Sequence, residues 1–115
     1  MVEFLDGPAA GRSLALRRAP HFLRVVIGPN DTLDALDQPE DYPRFQETIH
    51  AYVIESGSWS LVFVRPGGRY EMGRYRHLDG VPHEAMITRT AWIAWLTEHA
   101  NEAAVAAGLD PWEPA

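Results

Sequence analysis

The chain of 115 residues contains no cysteine and no lysine. The first absence excludes disulfides, thiolate zinc sites, iron–sulfur ligation and a cysteine nucleophile. The second makes all ten basic side chains arginine, the better residue for bidentate and stacked contacts, set against sixteen acids for a formal charge of −6. Long apolar runs are missing too, since none approaches the roughly 18 residues of a membrane span. Met1 is followed by Glu3 and Asp6, not by a basic stretch and an apolar core. A soluble, cytoplasmic protein with no membrane association is expected. The hydrophobic content of 46% is enough for one core at this length, so residues 1–115 are read as a single α+β domain.

Charge alternates in sign along the chain, with residues 1–28 and 57–78 net basic and residues 29–56 and 79–115 net acidic. Val2 to Leu5 and the alternating Ser13 to Arg17 flank Gly7-Pro8-Ala9-Ala10-Gly11 and predict a hairpin. His21 to Ile27 predicts a third strand, with Phe22, Arg24 and Val26 on one face and Leu23, Val25 and Ile27 on the other. Residues 28–45 read as a long acidic loop. Glu47 to Glu55, the Ser56-Gly57-Ser58 turn and Trp59 to Arg65 predict a second hairpin. Trp59 to Val64 is apolar at nearly every position, which predicts a central strand covered on both faces. Arg69 to His77 is the most polar segment and reads as an edge. Ala91, Trp92, Trp95, Leu96, His99 and Ala103 recur at helical spacing, Thr88 or Thr90 can cap the start, and Gly108 suits the end. On this face His99 is expected as a hydrogen-bonded core residue. The expected architecture is an antiparallel, mostly meander sheet of about six strands, packed by one C-terminal amphipathic helix, with a short tail at 109–115.

Motifs with chemical meaning are sparse. Gly7 to Ser13 resembles a phosphate loop but is one residue short, has Arg12 in place of lysine and leads into a strand, so it reads as a turn. Asp31, Asp34 and Asp37 recur every third residue around Leu33 and Leu36, followed by Glu40 and Asp41. The oxygen register of a calcium loop is absent, and a short amphipathic turn of helix with solvated acids is expected, usable for docking a basic partner. Five histidines are scattered, and His77, Asp79, His83 and Glu84 form the one local group with metal or acid–base potential; no HExxH or facial-triad spacing accompanies them. Arg65, Arg69, Arg74 and Arg76 are interleaved with Tyr70 and Tyr75, a pattern suited to phosphates and bases, although the acidic balance and the lack of an RNP consensus oppose it.

One resemblance rests on Phe4-Leu5-Asp6-Gly7-Pro8-Ala9-Ala10-Gly11, Leu14-Ala15-Leu16-Arg17-Arg18-Ala19-Pro20 and Leu23-Arg24-Val25-Val26. This pattern is similar to that of small uncharacterised proteins of actinobacteria and their phages. They share a later Tyr-Arg strand, comparable to Tyr75-Arg76, and a Trp-containing C-terminal segment, comparable to Trp92 and Trp95. The resemblance implies a phage or prophage accessory setting, in which small acidic proteins bind host proteins, and it carries over no catalytic residue.

The expectation is a non-enzymatic binding module with no cofactor and no bound metal, acting on a host or phage protein. The residues favoured for contact are Tyr70, Arg74 and Arg76 with Asp34, Asp37 and Asp41, since arginine and aromatics are enriched at hot spots and acids steer basic partners. Alternatives from other classes are nucleic-acid binding through the Arg/Tyr strand, a virion component, and a metal-dependent enzyme built on the His77 group.

Overall fold

A computed structural model describes residues 1–36, 43, 46–64 and 67–109. β1 (Val2–Phe4) and β2 (Ser13–Leu14) form the N-terminal hairpin around a 3-10 turn at Gly7–Ala9, with Val2 opposite Leu14. β3 (Phe22–Ile27) pairs with β4 (Leu33–Ala35) and with β5 (Thr48–Ile54), both antiparallel. β6 (Ser60–Val64) and β7 (Gly68–His77) follow, then α1 (His83–Ile87) and α2 (Arg89–Ala106).

The α+β class holds, while the meander does not. Among the described residues seven strands run in the order β2-β1-β7-β5-β3-β4, with β6 added on β7, and β1 is parallel to β7, so the sheet is mixed. The ten-residue β7 is the reason. It outruns every neighbour and takes three partners along its length: β6 at Gly68 to Met72, β1 at Gly73 to Tyr75, and β5 at Tyr75 to His77. β7 is therefore the axis of the sheet and not its edge. Its polar residues face out, while Gly73 and Tyr75 are buried.

β5 and β6 are not paired with each other as the second hairpin requires. Both are antiparallel to β7 on the same edge, so they lie end to end with residues 55–58 as an interruption between them. The Ser58 hydroxyl fills the gap, accepting from the Arg74 N–H (3.1 Å) and donating to the Glu55 carbonyl (2.7 Å). The acidic region also departs from its expected form. The Gly28 N–H donates to the Thr32 carbonyl (2.9 Å) around Asp31 at φ 61°, closing a hairpin, so Leu33 to Ala35 is strand and not a turn of helix.

Alternation puts separate cores on the two faces of the sheet. Phe4, Leu23, Val25, Tyr52, Ile54 and Tyr75 pack together on one, where the N-terminal hairpin curls over. Phe22, Val26, Ile49, Ala51 and Val53 on the other receive the helices. Among the described residues two α-helices stand where one is expected, because Thr88 at ψ 153° is extended between them; its side chain accepts from the Ala91 N–H (3.2 Å) and caps α2. Trp92, Leu96, Ala100 and Ala104 form the buried stripe, rotated from the predicted one. His99 is consequently exposed and not a core residue, with its ring stacked on Trp95 at 4.9 Å. Gly108, at φ 77°, ends the helix as predicted. Among the described residues no helix is long and apolar enough to cross a membrane.

Candidate docking surface

Among the described residues β6 pairs with β7 alone, and β1 begins its register on β7 only at Gly73, so Ser60–Val64 and Gly68 to Met72 form a two-stranded ribbon beyond the body of the sheet. Cross-strand partners share a face. Leu61 with Glu71 and Phe63 with Arg69 lie on one side, joined by Trp59, whose indole N–H donates to Glu71 Oε1 (3.1 Å). Val62 with Tyr70 and Ser60 with Met72 lie on the other. Phe63 is 75% exposed and Trp59 52%, and Leu61, Val62, Tyr70 and Met72 each exceed a third. Single exposed apolar residues are ordinary on a surface, but six on one short ribbon are the signature of an interaction site.

This ribbon reverses the expectation of a covered central strand. A segment apolar at every position satisfies two-sided burial in sequence, and equally a ribbon bare on both faces. The wrong inference hid Trp59, Leu61 and Phe63 as candidates. The available signal was Tyr70 and Met72, which sit opposite this run across the Gly67-Gly68 turn.

Alongside the ribbon, from its Gly67-Gly68 turn to Glu71, lies a hollow of about 520 Å³, bordered also by Arg17, Arg18, Leu61, Arg69 and Tyr70. Among the described residues, ion pairs engage Arg12, Arg74, Arg76 and His77, and not Arg17, Arg18 or Arg69. Burial pushes the Glu71 carboxyl pKa up. That push is outweighed by hydrogen bonds from the Ala19 N–H and the Trp59 indole and by the fields of Arg18 and Arg69, so the pKa lies below its ordinary value. Three guanidinium groups around one occupied carboxylate leave the hollow net positive on a protein that is net negative.

The residues favoured from sequence do not form one surface. Tyr70 is on the ribbon. Arg74 and Arg76 share its side of β7 but both bind Glu55 (3.2 and 2.9 Å), and Arg76 also lies 3.9 Å from Asp6. Asp34 is on β4, with β5 and β3 between it and β7, and its Oδ1 accepts from the Ala35 N–H. Asp37, Asp41 and Arg65 lie outside the described residues.

His77 pairs with Asp79 (2.9 Å) and its ring meets those of His50 (6.3 Å) and Tyr52 (5.5 Å). Among the described residues no three His, Asp or Glu side chains converge as metal ligands. Burial, then the proximity of His77, holds the His50 imidazole pKa below its ordinary 6.5. The folded state thus binds less proton there than the unfolded chain, and stability falls as pH drops through the unfolded value. Glu71 adds a second loss below its unfolded 4.5, because a depressed carboxyl pKa stabilises only above that value. Urea midpoints should fall between about pH 7.5 and about pH 5.5, and His50→Gln should flatten that step while leaving the deeper acid loss. An unchanged slope in the variant would remove His50 as the cause.

No protein-family model, curated protein or solved structure matches the chain.

Proposed function

We propose that this chain is a non-enzymatic protein-binding module that docks through the faces of the β6–β7 ribbon, in the phage or prophage accessory setting implied by its N-terminal resemblance. The carrying observation is six exposed apolar side chains on a two-stranded ribbon beside an arginine-lined hollow. The partner that fits is a protein with an apolar cleft flanked by acidic groups: Phe63, Trp59 and Tyr70 enter the cleft, and Arg17, Arg18 and Arg69 meet the acids. Aromatic and arginine anchors of this kind carry most of the energy of an interface. Arg74 and Arg76, already paired within the fold, contribute little.

The test is affinity capture from host lysate with the wild type, a Phe63→Asp, Tyr70→Asp double variant and an Arg74→Ala, Arg76→Ala double variant. One stoichiometric protein should be lost with the ribbon variant and kept with the arginine variant. Purified, its affinity should fall by at least about 30-fold, the equivalent of about 2 kcal/mol for a hot spot. Equal capture by all three proteins would remove the ribbon as the docking element.

A second reading draws on Trp59 and Phe63 sharing a ribbon face with Arg69, next to Arg17 and Arg18, an arrangement that can stack bases and track phosphates. It requires single-strand binding that weakens steeply with salt. Gel shifts at two salt concentrations with no retarded species would dispose of it.

A further inference from the structure

The edge of β6, unpaired among the described residues, is a surface separate from the ribbon's faces, and the orientation of its backbone groups follows from their partners. The Glu71 N–H donates to the Arg17 carbonyl (3.0 Å), and the Glu71 carbonyl accepts from the Met1 ammonium (3.1 Å). Both partners are on the β1 side of β7, where the Leu5 N–H also meets the Tyr75 carbonyl (2.9 Å). In an antiparallel pair, successive residues point their N–H and C=O groups to alternate edges. Odd-numbered residues of this part of β7 therefore turn toward β1, and Tyr70 and Met72 turn toward β6. Their partners Val62 and Ser60 turn inward in reply. Leu61 and Phe63 are left with N–H and C=O pointing out from the edge.

We infer that this edge pairs with the same edge of a second copy of the chain, β6 against β6 antiparallel about a two-fold axis through Val62. The inference rests on the ribbon being a protein-docking element and names one of its partners. Three observations carry it. An edge strand in a monomer is ordinarily guarded by a charge, a proline or a bulge, whereas Trp59 to Val64 holds no charged residue and no proline. Beyond the bonds of Glu71 to Arg17 and Met1 the ribbon has two strands, an arrangement that is marginal in water by itself, and two such ribbons joined make four strands. Charge then selects the register. Centred on Val62, the two outward residues of one copy meet those of the other, Leu61 opposite Phe63, exchanging four hydrogen bonds. Each row across the four strands runs Arg69, Phe63, Leu61, Glu71, with unlike charges at its ends. Centring on Leu61 or on Phe63 instead places Glu71 at both ends of the central row or Arg69 at both ends. Self-pairing about one axis also closes, leaving no further β6 edge to propagate.

The test uses the intact chain. Sedimentation over a dilution series should show a monomer–dimer equilibrium, and amide exchange of Leu61 and Phe63 should slow as the dimer forms. Phe63→Pro removes an outward N–H, which an edge strand tolerates, and keeps the inward groups of Val62; it should be monomeric. Phe63→Thr keeps the N–H and should still dimerise. The Trp59 indole N–H resonance, fixed by Glu71, reports whether each variant retains the ribbon. A wild type that stays monomeric at all concentrations, or a dimer whose Leu61 and Phe63 amides exchange freely, would overturn the inference. A monomer that still loses its captured partner with Phe63→Asp, Tyr70→Asp would sink the dimer alone and leave the docking reading standing.

Discussion

Gly7→Ala is expected to destabilise the fold by about 3 kcal/mol, and Gly11→Ala by only about 1 kcal/mol. Both glycines sit in the left-handed region, at φ 72° and φ 77°, so both variants carry the same order of backbone cost for a residue with a Cβ. The surroundings differ. A Cβ at Gly11 meets nothing within 4 Å, whereas at Gly7 it meets His77 Cβ at 2.6 Å, His77 Cγ at 2.8 Å and the Tyr52 hydroxyl at 2.9 Å. His77 Cβ is fixed to its backbone, and the His77 N–H is held by Asp6 Oδ1 at 2.6 Å. The Tyr52 hydroxyl is held too, donating to the Asp6 carbonyl and accepting from the Ala9 N–H, both at 2.9 Å. Nothing near Gly7 can yield without giving up a hydrogen bond, which is why the overpacking adds to the backbone cost. Urea denaturation of the two variants against the wild type measures the difference directly. Equal losses would show that His77 and Tyr52 move aside.

The N-terminal pattern was thus legible as a turn, and its physical demand for glycine at position 7 comes from a strand seventy residues away that no local reading supplies. The same division runs through the molecule. Local signals placed β1, β2 and β3 and the Gly108 terminus, and narrowed the helix cap to Thr88 or Thr90, because each depends on a few neighbouring residues. Strand order was not legible. Whether Trp59 to Val64 is covered depends on where β5 ends on β7, a long-range pairing that sets Ile54 opposite Tyr75 with its side chain over Gly73. A Cβ there would lie 2.8 Å from Ile54 Cδ1. Polarity likewise misled for β7: alternation separates its exposed Arg74 and Arg76 from the buried Gly73 and Tyr75, but an edge strand and an axial strand with one polar face read alike. Of the docking residues, Tyr70 was recoverable from its arginine neighbours. Phe63 and Leu61 were not, since apolar character by itself predicts burial.

Arg24→Ala should cost about 4 kcal/mol and Arg24→Met about 2 kcal/mol. Arg24 is 3% exposed on β3 among Phe22, Val26 and the helix-facing core. Its Nη1 donates to the Met86 carbonyl near the end of α1 (2.8 Å), and its Cζ lies 5.8 Å from the centre of the Trp92 ring on α2. One side chain therefore ties the sheet to both helices. Truncation to alanine empties the volume beneath Trp92 and removes the donor to the Met86 carbonyl, so cavity and polar losses add. Methionine refills most of the volume with an unbranched side chain whose sulfur packs well against an aromatic ring, leaving chiefly the polar loss. Thermal and urea unfolding followed by tryptophan fluorescence provide the comparison. If Arg24→Met proves as unstable as Arg24→Ala, the charged hydrogen bond to Met86, and not the packing under Trp92, is what holds the helices to the sheet.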